Sequence, residues 1–70
     1  MKTINVQNTS GFESHLYIGS HAVLSLGGGN CTFCQTHRIH DNGTVVLKLD
    51  DKPNSYKSFK KGELIPFAYL

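Results

Sequence analysis

The feature of this sequence that most limits its fold is a two-residue alternation of apolar and polar side chains. Gly, Asn, Asp and Ser interrupt this alternation every few positions, and no window of ten or more residues places apolar side chains at helical spacing. Alternation at period two is typical of β-strands with one buried face. The sequence therefore predicts an all-β fold: a small antiparallel meander of six or seven short strands, closed as a barrel or a two-layer sandwich.

The length of 70 residues predicts a single small β domain over residues 1–70. A chain of this size buries only about 60% of the surface that its unfolded form exposes, so a filled core leaves little room for an enclosed substrate pocket. Hydrophobic residues make up 39% of the chain and charged residues 17%, which favours a folded domain over a disordered one. Two cysteines are too few for a disulfide framework, so we expect the core to hold the fold.

The N-terminal part predicts one strand and then a hairpin. The first strand is Thr3–Gln7, with Ile4 and Val6 on one face, and Phe12 is expected to fold back into the core after a loop. Ser14–Ile18 and Ala22–Leu26 are predicted to pair around a three-residue loop. That loop brings apolar residues opposite one another, whereas a two-residue loop would exchange the faces.

The stretch His21–Leu49 predicts three successive strands, joined by the glycine run at 27–30 and by an Asn-Gly turn at 41–43. In the preferred register Gly43 adopts the left-handed region, Ile39 pairs with Val45, and His37 pairs with Leu47. The alternative two-residue turn would place Val45 opposite His40. The preferred register gathers one apolar face: Phe33, Ile39, Val45, Leu47 and Leu49. It directs a polar set outward: Cys34, Thr36, Arg38 and His40.

The C-terminal part predicts a last hairpin after a polar connection at Asp50–Asn54, where Pro53 stops strand pairing. Its strands are Ser55–Phe59 and Glu63–Tyr69, joined by a turn at 60–62. Pro66 lacks a backbone donor, which places the final strand at an edge. Residues 58–63 resemble the diverging turn of SH3 domains, and this resemblance implies a turn at that point and no function.

Two cysteines and two histidines, at Cys31, Cys34, His37 and His40, have the composition of a zinc site. Zinc sites usually combine ligand pairs from separate elements, whereas these four residues fall within ten consecutive positions. A spacing of three alternates faces on a strand, so we expect His37 inside and Cys34 and His40 outside. The sequence therefore predicts no metal ligands here, and zinc stays as an alternative.

Other chemistry lacks its usual sequence context. No helix follows Cys34 to activate a redox thiol, and neither a helix nor a lysine follows Gly27–Gly29 to complete a phosphate loop. No nucleophile motif joins the serines and histidines, and the five acidic residues are spread over loops. We therefore expect a protein that is not an enzyme and has no cofactor.

The segment Tyr56–Lys61 interleaves aromatic residues with lysines, which is one composition of a surface that binds single-stranded nucleic acid. Bases would stack on Tyr56, and phosphates would meet Lys57, Lys60 and Lys61. The formal net charge of +2 is small for such a function, and lysines beside a tight turn are usually a solvated tip. Nucleic acid is therefore the alternative partner.

We expect instead a non-enzymatic protein-binding module, an inhibitor of a host enzyme or defence complex in the style of small phage or mobile-element proteins. It would act through an edge strand or through the outer face of the central hairpin. The first ten residues contain no apolar targeting segment and no run reaches membrane-spanning length, so the sequence predicts a cytoplasmic protein without membrane contact. Edge strands also allow a homodimer. The candidate partner-binding residues are Cys34, Thr36, Arg38, His40, Tyr56, Lys57, Lys60 and Lys61.

Overall fold

The computed structural model describes residues 2–68 and has six strands. The strands are β1 (Thr3–Gln7), β2 (Glu13–Tyr17), β3 (His21–Gly27), β4 (Asn30–Ile39), β5 (Val45–Leu49) and β6 (Ser55–Phe59). They pair antiparallel in a two-stranded sheet, β1–β2, and a four-stranded sheet in the order β3–β4–β5–β6. The predicted all-β fold is confirmed, with six antiparallel strands in two sheets; the described strands form no closed barrel.

The first sheet is a hairpin whose two strands pair in register from Thr3 opposite Tyr17 to Gln7 opposite Glu13. The predicted bounds of β1 are confirmed. The expected burial of Phe12 is wrong, since its side chain is 69% exposed. Asn8 is the residue buried at this end of the hairpin, where its Oδ1 accepts the backbone N–H groups of Ser10 and Phe12.

The predicted hairpin between residues 14–18 and 22–26 is wrong, because β2 pairs with β1 and β3 pairs with β4. The turn between β2 and β3 carries the chain from one sheet to the other. Gly19, at φ +93°, donates its N–H to the Thr36 carbonyl, and the Ser20 carbonyl accepts the Thr36 N–H. These bonds attach the turn to β4, so β2 and β3 diverge.

The glycine run closes the hairpin between β3 and β4, as predicted. Gly27 pairs with Asn30, which leaves Gly28 and Gly29 as a two-residue loop at φ +60° and +82°. Two successive positive φ values are those of a type I′ turn, which glycine adopts without steric cost.

The hairpin between β4 and β5 confirms one half of the predicted register and contradicts the other. Ile39 pairs with Val45 and Gly43 has φ +91°, as expected. A β-bulge at His37 then makes Thr36, and not His37, the partner of Leu47. Because side chains alternate at period two, one extra residue reverses every face that precedes it.

The bulge explains the wrong faces in the first part of β4. The side chains of Thr32, Cys34 and Thr36 are buried, although Cys34 and Thr36 were predicted to face outward. Phe33 was predicted to lie in the core and is 66% exposed. His37 was predicted to face inward and is exposed.

The predicted last hairpin is wrong, although β6 and the turn after it lie where expected. The Glu63 N–H donates to the Lys60 carbonyl, which closes that turn. The chain then leaves β6, which pairs with β5 alone, and forms two isolated bridges: Ile65 with Asn8, and Phe67 with Leu24. Residues 63–68 therefore form no strand, and the predicted end at Tyr69 lies outside the described residues.

One hydrophobic core joins the two sheets. The four-stranded sheet contributes most of its buried side chains: Leu24, Cys34, Val45, Leu47, Leu49 and Phe59. Leu16 of β2 and the C-terminal residues Ile65 and Phe67 complete the cluster, and the β1 residues Ile4 and Val6 pack against it. Residues 2–68 include no helix long and apolar enough to span a membrane.

Candidate binding surface on the outer sheet face

The four-stranded sheet has a second face, opposite the core, and the strand register shows which side chains share it. One row consists of directly paired residues from all four strands: His21, Gln35, Lys48 and Tyr56. A second row consists of Arg38, Val46 and Ser58, and a third pairs Val23 with Phe33. We call these nine residues, together with His37, the outer face.

Phe33 is the largest apolar contributor to the outer face. Its side chain is 66% exposed, and its cross-strand partner Val23 is half-buried. The backbone at this point is firmly paired, because the Asp50 N–H also donates to the Phe33 carbonyl. The outer face therefore presents an exposed phenyl ring on a strand that is hydrogen-bonded on both sides.

A pair of rings lies elsewhere on the same face. The rings of His37 and Tyr56 have centroids 5.0 Å apart and planes inclined by 53°. This contact depends on the bulge, which gives His37 an extra position in β4 while Arg38 remains opposite Val46. A tilted geometry at this distance is favourable for two rings.

The charges of the outer face have one sign. Lys48 lies between Gln35 and Tyr56, and Arg38 lies beside Val46. The three rows contain no Asp or Glu. Lys48 and Arg38 are both exposed, so these rows present positive charge that favours partners with neutral or acidic surfaces.

The eight residues predicted to bind a partner do not lie in one patch. Arg38 and Tyr56 belong to the outer face, and His40 is exposed where β4 ends. Lys57 is paired with Leu47, which places it on the opposite side of β6 from Tyr56. Lys60 and Lys61 lie in the following turn, and a Cβ built on Gly43 would come within 2.7 Å of Lys61 Cβ. Cys34 and Thr36 are buried and leave the candidate surface.

The four residues with zinc-site composition are separated by the strand. Cys34 is fully buried on the core side, and burial raises the pKa of its thiol above the ordinary value, so the sulfur keeps its proton. Cys31 is exposed, both cysteines are free, and His37 belongs to the outer face. In the described part of the chain, no three His, Cys, Asp or Glu side chains are grouped so that they could hold a metal ion.

Sequence reasoning missed Phe33, Val23 and Lys48. The orientation of Phe33 depends on the bulge, and the residues around His37 carry no glycine or other local signal of one. Val23 and Lys48 follow from simple alternation in β3 and β5, but nothing local marks them as neighbours of Phe33 and Tyr56. The alternation Thr32, Cys34, Thr36 indicates a possible buried face, but the apolar Phe33 favoured the opposite assignment.

Comparisons of the chain with protein-family models, with curated proteins and with solved structures find no match.

Proposed function

We propose that this protein is a non-enzymatic module that binds a protein partner through the outer face. The observation that carries the proposal is the 66% exposure of Phe33 on a regularly paired sheet. Aromatic and arginine side chains supply most of the binding energy at protein interfaces. The outer face combines Phe33, Tyr56 and Arg38 with the aliphatic side chains of Val23 and Val46.

Neither edge of the four-stranded sheet favours pairing with an added strand, which supports the outer face as the contact surface. β6 is an open edge, but Lys57 projects from it on the core side beside Leu47. A charge in that position is a usual protection against pairing with another strand. The opposite edge is occupied, because the Pro66 carbonyl accepts the Ser25 N–H and the Ala68 N–H donates to the Val23 carbonyl.

The inhibitory role expected from the sequence is compatible with such a surface, since covering a partner's site is enough to block it.

The division of the strands into two sheets around one core supports the two-layer sandwich as the form of the fold. In that form the outer face is free of the core and open to a partner.

The test is an affinity purification with the wild-type chain and two serine variants. Phe33→Ser removes the aromatic centre of the outer face, and Phe12→Ser is the matched control, because Phe12 is 69% exposed in a loop. We expect a stoichiometric protein partner whose affinity falls about tenfold or more in Phe33→Ser and is unchanged in Phe12→Ser. The inhibitory role then requires that adding the protein lowers the partner's activity.

Equal recovery with both variants would contradict the proposed surface. Recovery of nucleic acid without a stoichiometric protein would contradict the proposed class of partner.

The ring pair favours a second candidate, the binding of single-stranded nucleic acid on the same face. His37 and Tyr56 offer adjacent stacking surfaces, and Lys48 is the cross-strand neighbour of Tyr56. Bases stack on exposed aromatic rings while lysine or arginine meets the phosphates. This arrangement differs from the one expected from the sequence, because Lys57 lies on the other side of β6.

The second candidate is tested by titrating an oligothymidylate at several salt concentrations. We expect Lys48→Ala to weaken binding and to reduce the slope of log affinity against log salt by about 0.7, and Lys57→Ala to leave both unchanged. A larger effect of Lys57→Ala, or affinity independent of salt, would reject the outer face as a nucleic-acid surface.

A further inference from the structure

A groove of about 340 Å³ lies between β1 and the turn that follows β6. Its apolar lining comes from three parts of the chain: Ile4 and Val6 of β1, Val45 and Phe59 at the paired ends of β5 and β6, and Ile65. No residue of the outer face lines it. The groove is therefore a second concave surface, separate from the one described above.

One wall of the groove is an open strand edge. Residue pairs in an antiparallel hairpin alternate between those that exchange backbone hydrogen bonds and those that do not. The Asn8 N–H donates to the Phe12 carbonyl, so Val6 and Ile4 continue the bonded pairs of β1 with β2. The intervening residues, Thr3, Asn5 and Gln7, direct their backbone groups away from β2.

The chain itself already uses one end of this edge. The Gln7 carbonyl accepts the N–H of Ile65 at 2.9 Å, and Ile65 forms a parallel bridge with Asn8. Within residues 2–68, no backbone partner occupies the corresponding groups of Asn5. The edge of β1 can therefore pair with another strand, as Gln7 does with Ile65. At Asn5, beside the groove, no strand is paired with this edge in residues 2–68.

The open edges of β6 and β1 differ in their protection. β6 carries Lys57, whereas β1 reads Thr-Ile-Asn-Val-Gln and has neither a charge nor a proline. Strand edges that lack such residues pair readily with added strands. The rim of the groove has balanced charge, because Lys60 and Lys61 are accompanied by Glu13 and Glu63. A neutral occupant suits this rim better than a charged one.

We propose that β1 is the docking edge for an uncharged, extended segment of a partner protein. The segment adds a third strand to the β1–β2 sheet, bonds to the backbone of Asn5, and places an apolar side chain in the groove. This site is independent of the outer face and does not rest on the function proposed for it.

The test uses a displayed library of random eight-residue peptides selected on the whole chain, followed by titration of a selected peptide. Asn5→Pro removes the N–H that points away from β2, which an edge strand tolerates. Asn5→Ala is the matched control: both variants lose the contact between Asn5 Oδ1 and His15 Nδ1, but alanine keeps the N–H. We expect uncharged peptides with alternating apolar residues, bound about tenfold more weakly by Asn5→Pro than by Asn5→Ala.

A second measurement does not depend on a variant that folds. In the wild-type chain, bound peptide should slow hydrogen exchange at the Asn5 amide, and Phe33→Ser should leave the peptide's affinity unchanged. The proposal is overturned if no peptide is selected, if exchange at Asn5 is unaffected, or if Phe33→Ser abolishes binding. It is also overturned if the two Asn5 variants bind equally.

Discussion

The side-chain hydroxyls of Ser20 and Thr36 lie 2.9 Å apart, where the chain passes from the two-stranded sheet to the four-stranded sheet. Two backbone hydrogen bonds, from Gly19 N–H to the Thr36 carbonyl and from Thr36 N–H to the Ser20 carbonyl, flank this contact. Thr36 is buried and immediately precedes the bulge at His37. Thr36 therefore connects the Gly19–Ser20 turn, which links the two sheets, to the bulge at His37, which determines the faces of β4.

We expect the Ser20–Thr36 contact to couple the two residues energetically. Ser20→Ala leaves the buried Thr36 hydroxyl without this partner and should lower the free energy of unfolding by about 1–3 kcal/mol. Thr36→Val, which keeps the side-chain shape, should cost about 1 kcal/mol. The double variant should lose less than the sum of the two, with a coupling of about 1 kcal/mol measured by urea unfolding. Additive costs would show that the hydroxyl contact contributes nothing.

The bulge makes a prediction about deletions in β4. Between the pairs Cys34–Leu49 and Ile39–Val45, β4 has one more residue than β5. Deleting His37 restores a regular ladder with Thr36 still opposite Leu47, so it should cost only about 1 kcal/mol, from the lost ring contact with Tyr56.

Deletion of Gln35 is the matched control for the deletion of His37. It also equalises the two strands, but it places His37 opposite Leu47 in the core and turns Thr36 outward. Burying an imidazole without a partner, together with the loss of the Ser20–Thr36 contact, should make this deletion costlier by roughly 2 kcal/mol or more, as measured by urea unfolding. Equal costs for the two deletions would contradict the assigned register.

The C-terminal segment should contribute strongly to stability through a single side chain. Ile65 is fully buried, whereas its neighbour Leu64 is 47% exposed. Ile65→Ala should lower the free energy of unfolding by about 2–5 kcal/mol, because it leaves a cavity where residues 63–67 meet the core. Leu64→Ala should change it by less than about 0.5 kcal/mol. Similar urea midpoints for the two variants would show that the segment does not pack as described.

The buried thiol of Cys34 should make stability depend on pH in the alkaline range. Its pKa in the folded chain lies above the ordinary value of 9.0, chiefly because burial disfavours the thiolate. The unfolded chain therefore releases this proton first, and the free energy of unfolding should fall as the pH rises above about 9.

Thermal unfolding between pH 7 and pH 10 checks this dependence in two alanine variants. Cys34→Ala should unfold with a weaker decrease in midpoint over this range than the wild-type chain, although its midpoint at pH 7 is lower. Cys31→Ala should retain the wild-type decrease, since Cys31 is exposed. A decrease of equal size in all three chains would assign the effect to other groups.

Most strand positions were predictable because the signals that set them are local. Alternation located β1 and β6, the three consecutive glycines located the β3–β4 turn, and Asn42-Gly43 located the turn before β5. Each signal involves residues within a few positions of one another, and Gly43 has the positive φ that its turn type requires.

The partners and faces of the strands depended on distant residues and were predicted less well. Alternation allows β2 to pair with β1 or with β3, and in the folded chain it pairs with β1 while Gly19 and Ser20 attach to the distant Thr36. The candidate surface shows the same limit. Arg38 and Tyr56 were identified. Phe33 was assigned to the core, and this was wrong because a one-residue bulge in β4 reverses the faces of the residues before it.

The sequence by itself determined an all-β chain and most of the places where it turns. Only the tertiary structure decided that Cys34 is buried and Phe33 exposed, that β1 and β2 form their own sheet, and that Ile65 crosses to β1. The physical reason is that alternation specifies two faces without saying which is buried. That choice is made by packing between segments far apart in the chain, and one bulge is enough to exchange the faces.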